Sequence, residues 1–357
     1  MFPCLFSITS LASRKFSRLL RLLYKHTELI PHIHELQVHF ECGGPNPESG
    51  IFPAGADDTL LPSLLTAFTH VRHIELSSNS SASWDSLSPR VLHAIETVVC
   101  QPSITYVRLS SWVFDSWKTI ASLFRHSQNL RGLALRSTEL GTVSEEQEQE
   151  FRSGSSGPRL EFLTLDYVDC PDLGSWLSNE HPIMMDLTNI REFRLAHSDD
   201  NCVDRLLRTF GDSLERFHLK PGRIGLQPMT LERCARLRSL RLTLDEYPAS
   251  LVWVSNVLNS IPVPGILEHV AIEVYIDPKK LMGWRAIDNI LTRSVASFDS
   301  LKEVAIGVFA LPANAEFLKV QEGLAGLKER GLLRVYQLAT KSQKLCSELT
   351  PMISSFE

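Results

Sequence analysis

Several motifs that mark enzymes and membrane proteins are missing from this sequence. No G-x-S-x-G elbow, G-x-x-x-x-G-K-[ST] loop or G-x-G-x-x-G turn occurs, so neither a nucleophile nor a phosphate cradle is indicated. Seven scattered cysteines without a C-x-x-C pair argue against a disulfide scaffold or a zinc site and favour a reducing compartment. No run of 18 or more apolar residues predicts a transmembrane helix.

A strong net charge is also missing. The formal net charge of −5 over 357 residues gives no overall attraction to nucleic acid or to an anionic membrane, so we expect neither as a partner. A composition of 43% hydrophobic and 22% charged residues is ordinary for a folded globular protein. We therefore expect a cytoplasmic or nuclear protein with no cofactor, no metal and no catalytic residue.

Acidic residues are absent from the first 27 positions. Five basic residues interrupt an apolar series there, which predicts a basic amphipathic helix. They are Arg14, Lys15, Arg18, Arg21 and Lys25, set among Phe16, Leu19, Leu20, Leu22 and Leu23. We expect a first strand at Leu5 to Leu11 and then this helix, packed on the next strand, with a mitochondrial presequence, a signal peptide or a membrane-surface helix as the alternatives.

The sequence does contain a recurring pattern, apolar-x-x-apolar-x-apolar. Its last four positions fit a short strand with alternate residues buried. Successive copies start roughly 20 to 40 residues apart, within the range of repeat proteins. The ten copies are Ile33/Leu36/Val38, Val71/Ile74/Leu76, Ile104/Val107/Leu109, Leu130/Leu133/Leu135, Leu160/Leu163/Leu165, Ile190/Phe193/Leu195, Leu214/Phe217/Leu219, Leu237/Leu240/Leu242, Leu267/Val270/Ile272 and Leu301/Val304/Ile306.

Most gaps between these copies hold a helix-like stretch, in one case with Asp85, Ser86 and Ser88 as possible caps. The predicted helices are Asp85 to Gln101, Asp115 to Gln128, Asp199 to Asp212, Pro248 to Ile261, Trp284 to Phe298 and Ala315 to Arg330. Two gaps also contain predicted loops, Gly43 to Asp58 and Gly141 to Pro158, which are not domain boundaries because the pattern resumes after each. One strand and one helix in each repeat of about 30 residues is the rhythm of a leucine-rich repeat.

A doubly wound α/β domain is the competing fold, because it too alternates parallel strands and helices. Strands covered on both faces are continuous apolar runs, whereas the positions between the apolar ones are polar in this chain. These polar positions are Gln37, Glu75, Arg108, Thr164, Arg194, His218 and Arg241. A sheet with one open face is typical of a solenoid.

We therefore predict an α/β fold, a leucine-rich-repeat-like curved solenoid of irregular repeats. Its parallel strands line the concave face and its helices the convex face. Residues 1–30 are expected to form the N-terminal strand and basic helix that cap the array. Residues 31–357 are expected to form ten to eleven repeats.

The sequence resembles the leucine-rich-repeat-like fungal F-box domain-containing proteins over nearly its whole length. The resemblance lies in Leu5-Phe6-Ser7-Ile8-Thr9, Phe16-Ser17-Arg18-Leu19-Leu20, Ile30-Pro31-His32-Ile33-His34-Glu35-Leu36-Gln37-Val38 and Lys328-Glu329-Arg330-Gly331-Leu332-Leu333-Arg334-Val335. It implies a non-catalytic recognition module for a protein substrate of a ubiquitin ligase. In that family an F-box precedes the segment that matches Leu5 to Thr9. No Leu-Pro-x-Glu opening is present, so docking on the Skp1 adaptor is expected only if an F-box precedes Met1.

Two other functions stay open from the residues. The first is a degenerate or structural repeat protein without a ligase role, and the second, less favoured, is an α/β hydrolase-like enzyme. His26, His32, His34 and His39 are the densest group of potential metal ligands, and His32 and His34 would share one strand face. A third ligand at a defined spacing is missing, so no metal site is expected.

In a sheet with strands in register, the polar positions form columns across the open face. We expect a basic centre there, flanked by Glu192 and Asp166 and near the acidic loop Glu145 to Glu150, that binds an acidic surface of a protein partner. The alternative is a solvated polar face without a ligand. The predicted partner-binding residues are Tyr106, Arg108, Phe162, Asp166, Arg194, Arg216, His218, Lys220 and Arg241.

Overall fold

Strands that alternate with helices make up the described part of the chain. The computed structural model describes residues 4–8, 21–40, 57–141, 157–168, 185–196, 201–221, 229–244, 251–274, 283–292, 298–308 and 314–338. Thirteen strands and eight α-helices lie in these residues, with a helical stretch at 21–25. The chain forms two compact units, Met1–Ser198 and Asp199–Glu357.

The first unit contains a parallel sheet in the order β1-β2-β3-β4-β5-β7-β8, with β6 beside β4. Its strands are β1 (Cys4–Ile8), β2 (Ile33–Phe40), β3 (His73–Ser83), β4 (Tyr106–Phe114), β5 (Gly132–Arg136), β6 (Glu139–Leu140), β7 (Phe162–Asp166) and β8 (Glu192–Ala196). Its helices are α1 (Asp57–Ala67), α2 (Pro89–Val99) and α3 (Trp117–Phe124), with 3-10 turns at Thr27–His32 and Trp84–Ser86.

The second unit contains a parallel sheet in the order β9-β10-β11-β12-β13. Its strands are β9 (Arg216–Lys220), β10 (Ser239–Leu244), β11 (His269–Val274), β12 (Glu303–Val308) and β13 (Leu333–Gln337). Its helices are α4 (Asn201–Phe210), α5 (Leu251–Asn259), α6 (Trp284–Thr292), α7 (Asn314–Gly323) and α8 (Ala325–Glu329), with 3-10 turns at Gly211–Ser213 and Pro264–Ile266.

The apolar triplets form the core. All of their residues are 5% exposed or less, and the last two residues of each triplet lie in a strand. The prediction of ten strands is confirmed, as is the α/β class with parallel pairing. The predicted boundary at residue 30, the repeat count and the curvature of the array stay predictions.

The helices predicted at Asp85 to Gln101, Asp115 to Gln128, Asp199 to Asp212 and Pro248 to Ile261 are confirmed to within a few residues at their ends. The helix predicted at Trp284 to Phe298 is observed over Trp284–Thr292, and residues 293–297 lie outside the described part of the chain. The stretch predicted as one helix at Ala315 to Arg330 forms two, α7 and α8. Ser88 caps α2, since its hydroxyl accepts from the backbone N–H of Val91 at 3.4 Å. Consecutive strands are neighbours, so right-handed connections place all connecting helices of a unit on one face of its sheet. The buried apolar side of each helix packs there, and the opposite face of each sheet carries the polar residues.

Helix α1 was not predicted, and the predicted loop Gly43 to Asp58 overlaps its first two residues. Pro62 lies inside this helix, and a proline there removes a backbone donor and is ordinarily a helix breaker. Leu61, Leu64 and Leu65 are nevertheless buried to 2% exposure or less. Burial of this apolar side outweighs the unfavourable proline.

The N-terminal prediction needs two corrections. The first strand begins at Cys4 rather than Leu5 and is observed to Ile8, while its predicted end, residues 9–11, lies with the rest of residues 9–20 outside the described part of the chain. Within the helical stretch 21–25, Leu23 is buried but Leu22 is 43% exposed, so Leu22 does not belong to the packed side. The presequence and membrane-surface alternatives are not tested. Among the described residues, no helix has the length and apolarity needed to span a membrane.

Repeated backbone features align successive strands. At the start, one carbonyl accepts from two consecutive amides of the next segment: the Arg72 carbonyl accepts from Thr105 and Tyr106, and the Arg238 carbonyl accepts from Glu268 and His269. Ser111, Ser137 and Tyr167 each follow the same register position and have left-handed φ values of 60°, 47° and 54°. Ser137 and Tyr167 directly follow β5 and β7, whereas Ser111 lies within β4. These shared carbonyls and turns align the side chains between them.

Candidate functional site

The polar face of the first unit consists of three rows of side chains, each at one register position of successive strands. We call these residues the first polar face. Row one is Glu35, His73, Tyr106, Gly132, Phe162 and Glu192; row two is Gln37, Glu75, Arg108, Ala134, Thr164 and Arg194; row three is His39, Ser77, Ser110, Arg136, Asp166 and Ala196.

Each arginine of the first polar face is paired with a carboxylate. Arg108 Nη1 lies 3.5 Å from Glu75 Oε2, Arg136 Nε lies 3.5 Å from Asp166 Oδ2, and Arg194 Nη2 lies 2.8 Å from Glu192 Oε1. The face holds these three arginines and four carboxylates, Glu35 included, so its net charge is −1 with His73 and His39 neutral. The predicted basic centre is therefore not found in the first unit.

Tyr106 lies across the neighbouring strand rather than pointing into solvent. It is 8% exposed, and a Cβ placed on Gly132 would overlap its Cδ2 and lie 3.0 Å from its Cε2. Burial raises the pKa of Tyr106, and burial likewise lowers the pKa of His73, whose ring meets Tyr106 edge-on at 5.6 Å. Tyr106, one of the predicted partner-binding residues, is therefore buried, whereas Phe162, in the same row, is partly exposed.

The polar face of the second unit has the same three-row plan, and we call it the second polar face. Row one is Arg216, Ser239, His269 and Glu303; row two is His218, Arg241, Ala271, Ala305 and Arg334; row three is Thr243, Glu273, Gly307 and Tyr336, with Lys220 at the end of β9. Of the predicted residues, Arg216, His218, Lys220 and Arg241 lie together here, with His218 directly opposite Arg241. Arg194 belongs to the first unit.

A buried carboxylate, Glu273, holds this face together. Its side chain is 4% exposed; Oε1 accepts from Arg241 at 2.5 Å and from the Tyr336 hydroxyl at 2.9 Å, and Oε2 accepts from the Thr243 hydroxyl at 3.0 Å. Burial acts to raise the pKa of Glu273, but the charge of Arg241 and these hydrogen bonds outweigh it and hold the pKa below its ordinary value. Glu273 is therefore ionised at neutral pH and fixes Arg241, whose side chain is 49% exposed.

Thr243, Glu273 and Tyr336 were not predicted from the sequence. Thr243 and Glu273 directly follow the last apolar residue of a triplet, the place that Asp166 and Lys220 also occupy. Alignment of the ten triplets would have shown that position as a third row. Tyr336 follows no triplet, so the sequence carries no comparable signal for it. The acidic loop Glu145 to Glu150 lies outside the described residues.

The candidate metal ligands do not converge. His32 lies in a 3-10 turn and not on a strand face with His34, which corrects the prediction, while His39 Nδ1 lies 3.0 Å from the Ser77 hydroxyl. Within the part of the chain that the structure describes, no three His, Cys, Asp or Glu side chains are grouped to hold a metal ion. Burial raises the pKa of the Cys234 thiol to about 12, so this cysteine is not a reactive thiolate.

No family model matches the chain, and no curated protein matches it in sequence. The two polar faces are therefore interpreted from their own residues and contacts.

Proposed function

We propose that this chain is a non-catalytic protein–protein interaction module whose polar strand faces bind a protein partner. The observation that supports this function is the arrangement of polar side chains in three register rows on each unit, opposite the helix-packed face. The residue types needed for a nucleophile, a phosphate cradle or a metal are not combined in the sequence motifs that such sites use. The role corresponds to the substrate-recognition part of an F-box receptor, and docking on Skp1 would require an F-box elsewhere in the protein.

The finer architecture that we propose is a leucine-rich-repeat-like solenoid. Neighbouring strands are about 4.8 Å apart, whereas packed helices need about 8 to 10 Å between their axes. A stack of strand and helix units with those unequal widths bends, with the strands on the inner side. The polar rows would then line a concave surface that surrounds a partner.

Arginine side chains that are already paired with carboxylates also favour binding of a protein partner. Arg108, Arg194 and Arg241 are each held by a carboxylate on the same or a neighbouring strand, so little side-chain entropy is lost when a partner binds them. Such a surface would bind through oriented hydrogen bonds and not through apolar burial.

Site-specific photocrosslinking tests this function. A photoreactive amino acid at Thr164 or Ala271, both partly exposed on the polar faces, is expected to crosslink a discrete set of proteins in the native cells. The matched controls are Glu96 on α2 and Asn256 on α5, both exposed on helices, and they should not capture that set. Equal capture from strands and helices, or no capture from the strands, would show a structural or degenerate repeat protein instead.

A further inference from the structure

The two polar faces differ in charge. The second polar face carries four cations, Arg216, Lys220, Arg241 and Arg334, and two carboxylates, Glu273 and Glu303, so its net charge is +2 with the histidines neutral. The corresponding sum on the first polar face is −1. A partner segment that is attracted to the second polar face is therefore acidic.

The shape of row two favours an extended segment. His218 and Arg334 are the two ends of this row, and Arg241 lies next to His218. Between Arg241 and Arg334 lie Ala271 and Ala305, whose small side chains leave the surface of these two strands low. Three strand spacings separate the arginines, which is about 14 Å. In an extended peptide, side chains four residues apart are also separated by about 13 to 14 Å and point the same way.

Arg241 is prepared for an anion by the residues beneath it. Glu273 Oε1 accepts a hydrogen bond from Arg241 Nη2 at 2.5 Å. The hydroxyl of Tyr336, on β13, donates to the same carboxylate. The Tyr336 ring passes over Gly307, where an added Cβ would lie 2.9 Å from the ring. The guanidinium is thus fixed in position while half of the side chain stays accessible. A planar guanidinium held in this way suits bidentate pairing with a carboxylate.

We propose that the second polar face binds an extended acidic peptide segment of the partner that crosses β10 to β13. Two carboxylates four residues apart pair with Arg241 and Arg334, and Glu273 acts as the positioning residue for Arg241. This inference rests on the proposed function and names the chemistry of its partner.

Fluorescence anisotropy on the full chain tests the proposal. The probe is a fluorescein-labelled peptide that repeats Glu-Ser-Gly-Ser three times and ends on a fourth glutamate; its matched isomer has the same composition with the four glutamates in succession. The spaced peptide should bind more tightly than the isomer. Arg241→Gln and Arg334→Gln should each weaken binding roughly tenfold, the value of one lost ion pair of about 1.4 kcal/mol. Arg205→Gln, an equal change of charge at an exposed position of α4, should change it less than about twofold.

Glu273→Gln distinguishes positioning of Arg241 by Glu273 from simple charge attraction between the face and the peptide. This variant raises the net charge of the face from +2 to +3, so attraction alone would tighten binding, whereas loss of the anchor for Arg241 weakens it. Tyr336→Phe removes one donor to the same carboxylate at nearly unchanged size and should weaken binding in the same direction. Tighter binding by Glu273→Gln together with unchanged binding by Tyr336→Phe, the result of attraction alone, would overturn the positioning role of Glu273.

Other occupants give distinct results. A single-stranded DNA oligomer of the same charge as the spaced peptide serves as a second probe. If it binds more tightly than the peptide, and Arg241→Gln weakens its binding as much as that of the peptide, the face is a general polyanion surface and the peptide proposal is overturned. Displacement of the peptide by an equal concentration of inorganic phosphate would also overturn it. If the photoreactive amino acid at Ala271 captures a protein but the spaced peptide does not bind, only the inference of an acidic segment fails. If the crosslinker captures nothing and the peptide does not bind, the proposed function fails as well.

Discussion

Two glycines allow a tyrosine to lie across a neighbouring strand. Gly132 faces the ring of Tyr106 in the first unit, and Gly307 faces the ring of Tyr336 in the second. Any larger residue would meet the ring, so the size of one residue determines where the tyrosine on the next strand can lie. The tyrosine hydroxyl then reaches partners that its own strand does not offer, as Glu273 illustrates.

Gly132→Ala should destabilise the protein even though alanine favours a strand more than glycine does. Overlap with the buried Tyr106 ring costs about 1 to 3 kcal/mol, which exceeds the gain of about 0.5 to 1 kcal/mol from reduced chain entropy. Urea unfolding measures the change, with Gly265→Ala as control because nothing lies within 4 Å of its Cβ position. In a Tyr106→Ala background the penalty should largely disappear; an unchanged penalty there would refute the overlap.

Single residues of the binding surface were only partly predictable. Alternation indicates that Arg108, Arg194 and Arg241 face away from the core, since every second strand residue must do so. It does not indicate their charge partners, because Glu75 and Glu273 lie on adjacent strands, one repeat away in sequence, and the pairing depends on register. Four of the predicted basic residues, Arg216, His218, Lys220 and Arg241, belong to the second unit, and Arg194 belongs to the first.

At the scale of elements, burial separates the two sides of each helix. On α5, Val254 is 0% exposed and Val252 is 60% exposed, two positions apart on the same helix. Helical periodicity of this kind is visible in sequence, which explains why α2, α3, α4 and α5 were predicted near their observed positions. Helix α1 was not predicted because Pro62 weighs against a helix locally, while the burial that stabilises it is a tertiary effect.

Valine-to-alanine changes on α5 test this assignment. Val254→Ala removes buried methyl groups and should lower the free energy of unfolding by about 1 to 3 kcal/mol, whereas Val252→Ala should stay within about 0.5 kcal/mol of the parent. Both changes bring the same gain in helix propensity, so their difference reports packing alone. Equal effects in chemical denaturation would contradict the packed side assigned to this helix.

At the scale of the whole molecule, packing is local in sequence. The strands of each unit pair with their neighbours along the chain, apart from the short β6. The ten triplets made this ladder predictable, since each is one strand. The ends of the sheet were less predictable, because β13 carries only partly buried residues and so lacks the full triplet.

Local packing predicts a local response to mutation. Leu240→Ala in β10 should accelerate amide exchange in β9, β10 and β11 while leaving β2 and β3 unchanged, because stability in such an array is dominated by nearest neighbours. Hydrogen–deuterium exchange followed by mass spectrometry measures this directly. A uniform loss of protection across the chain would mean that it unfolds as one cooperative whole.

The backbone carbonyls that bond to two amides of the next segment affect which sequence changes the fold can tolerate during evolution. The carbonyls of Arg72 and Arg238 each accept from two backbone amides at the beginning of the following segment, groups that every amino acid except proline supplies. Segments between these hydrogen bonds can therefore lengthen, shorten or change composition while the strand starts stay aligned. The unequal intervals between successive triplets in this sequence are what such freedom produces, and the surface rows can diversify while the backbone ladder stays the same.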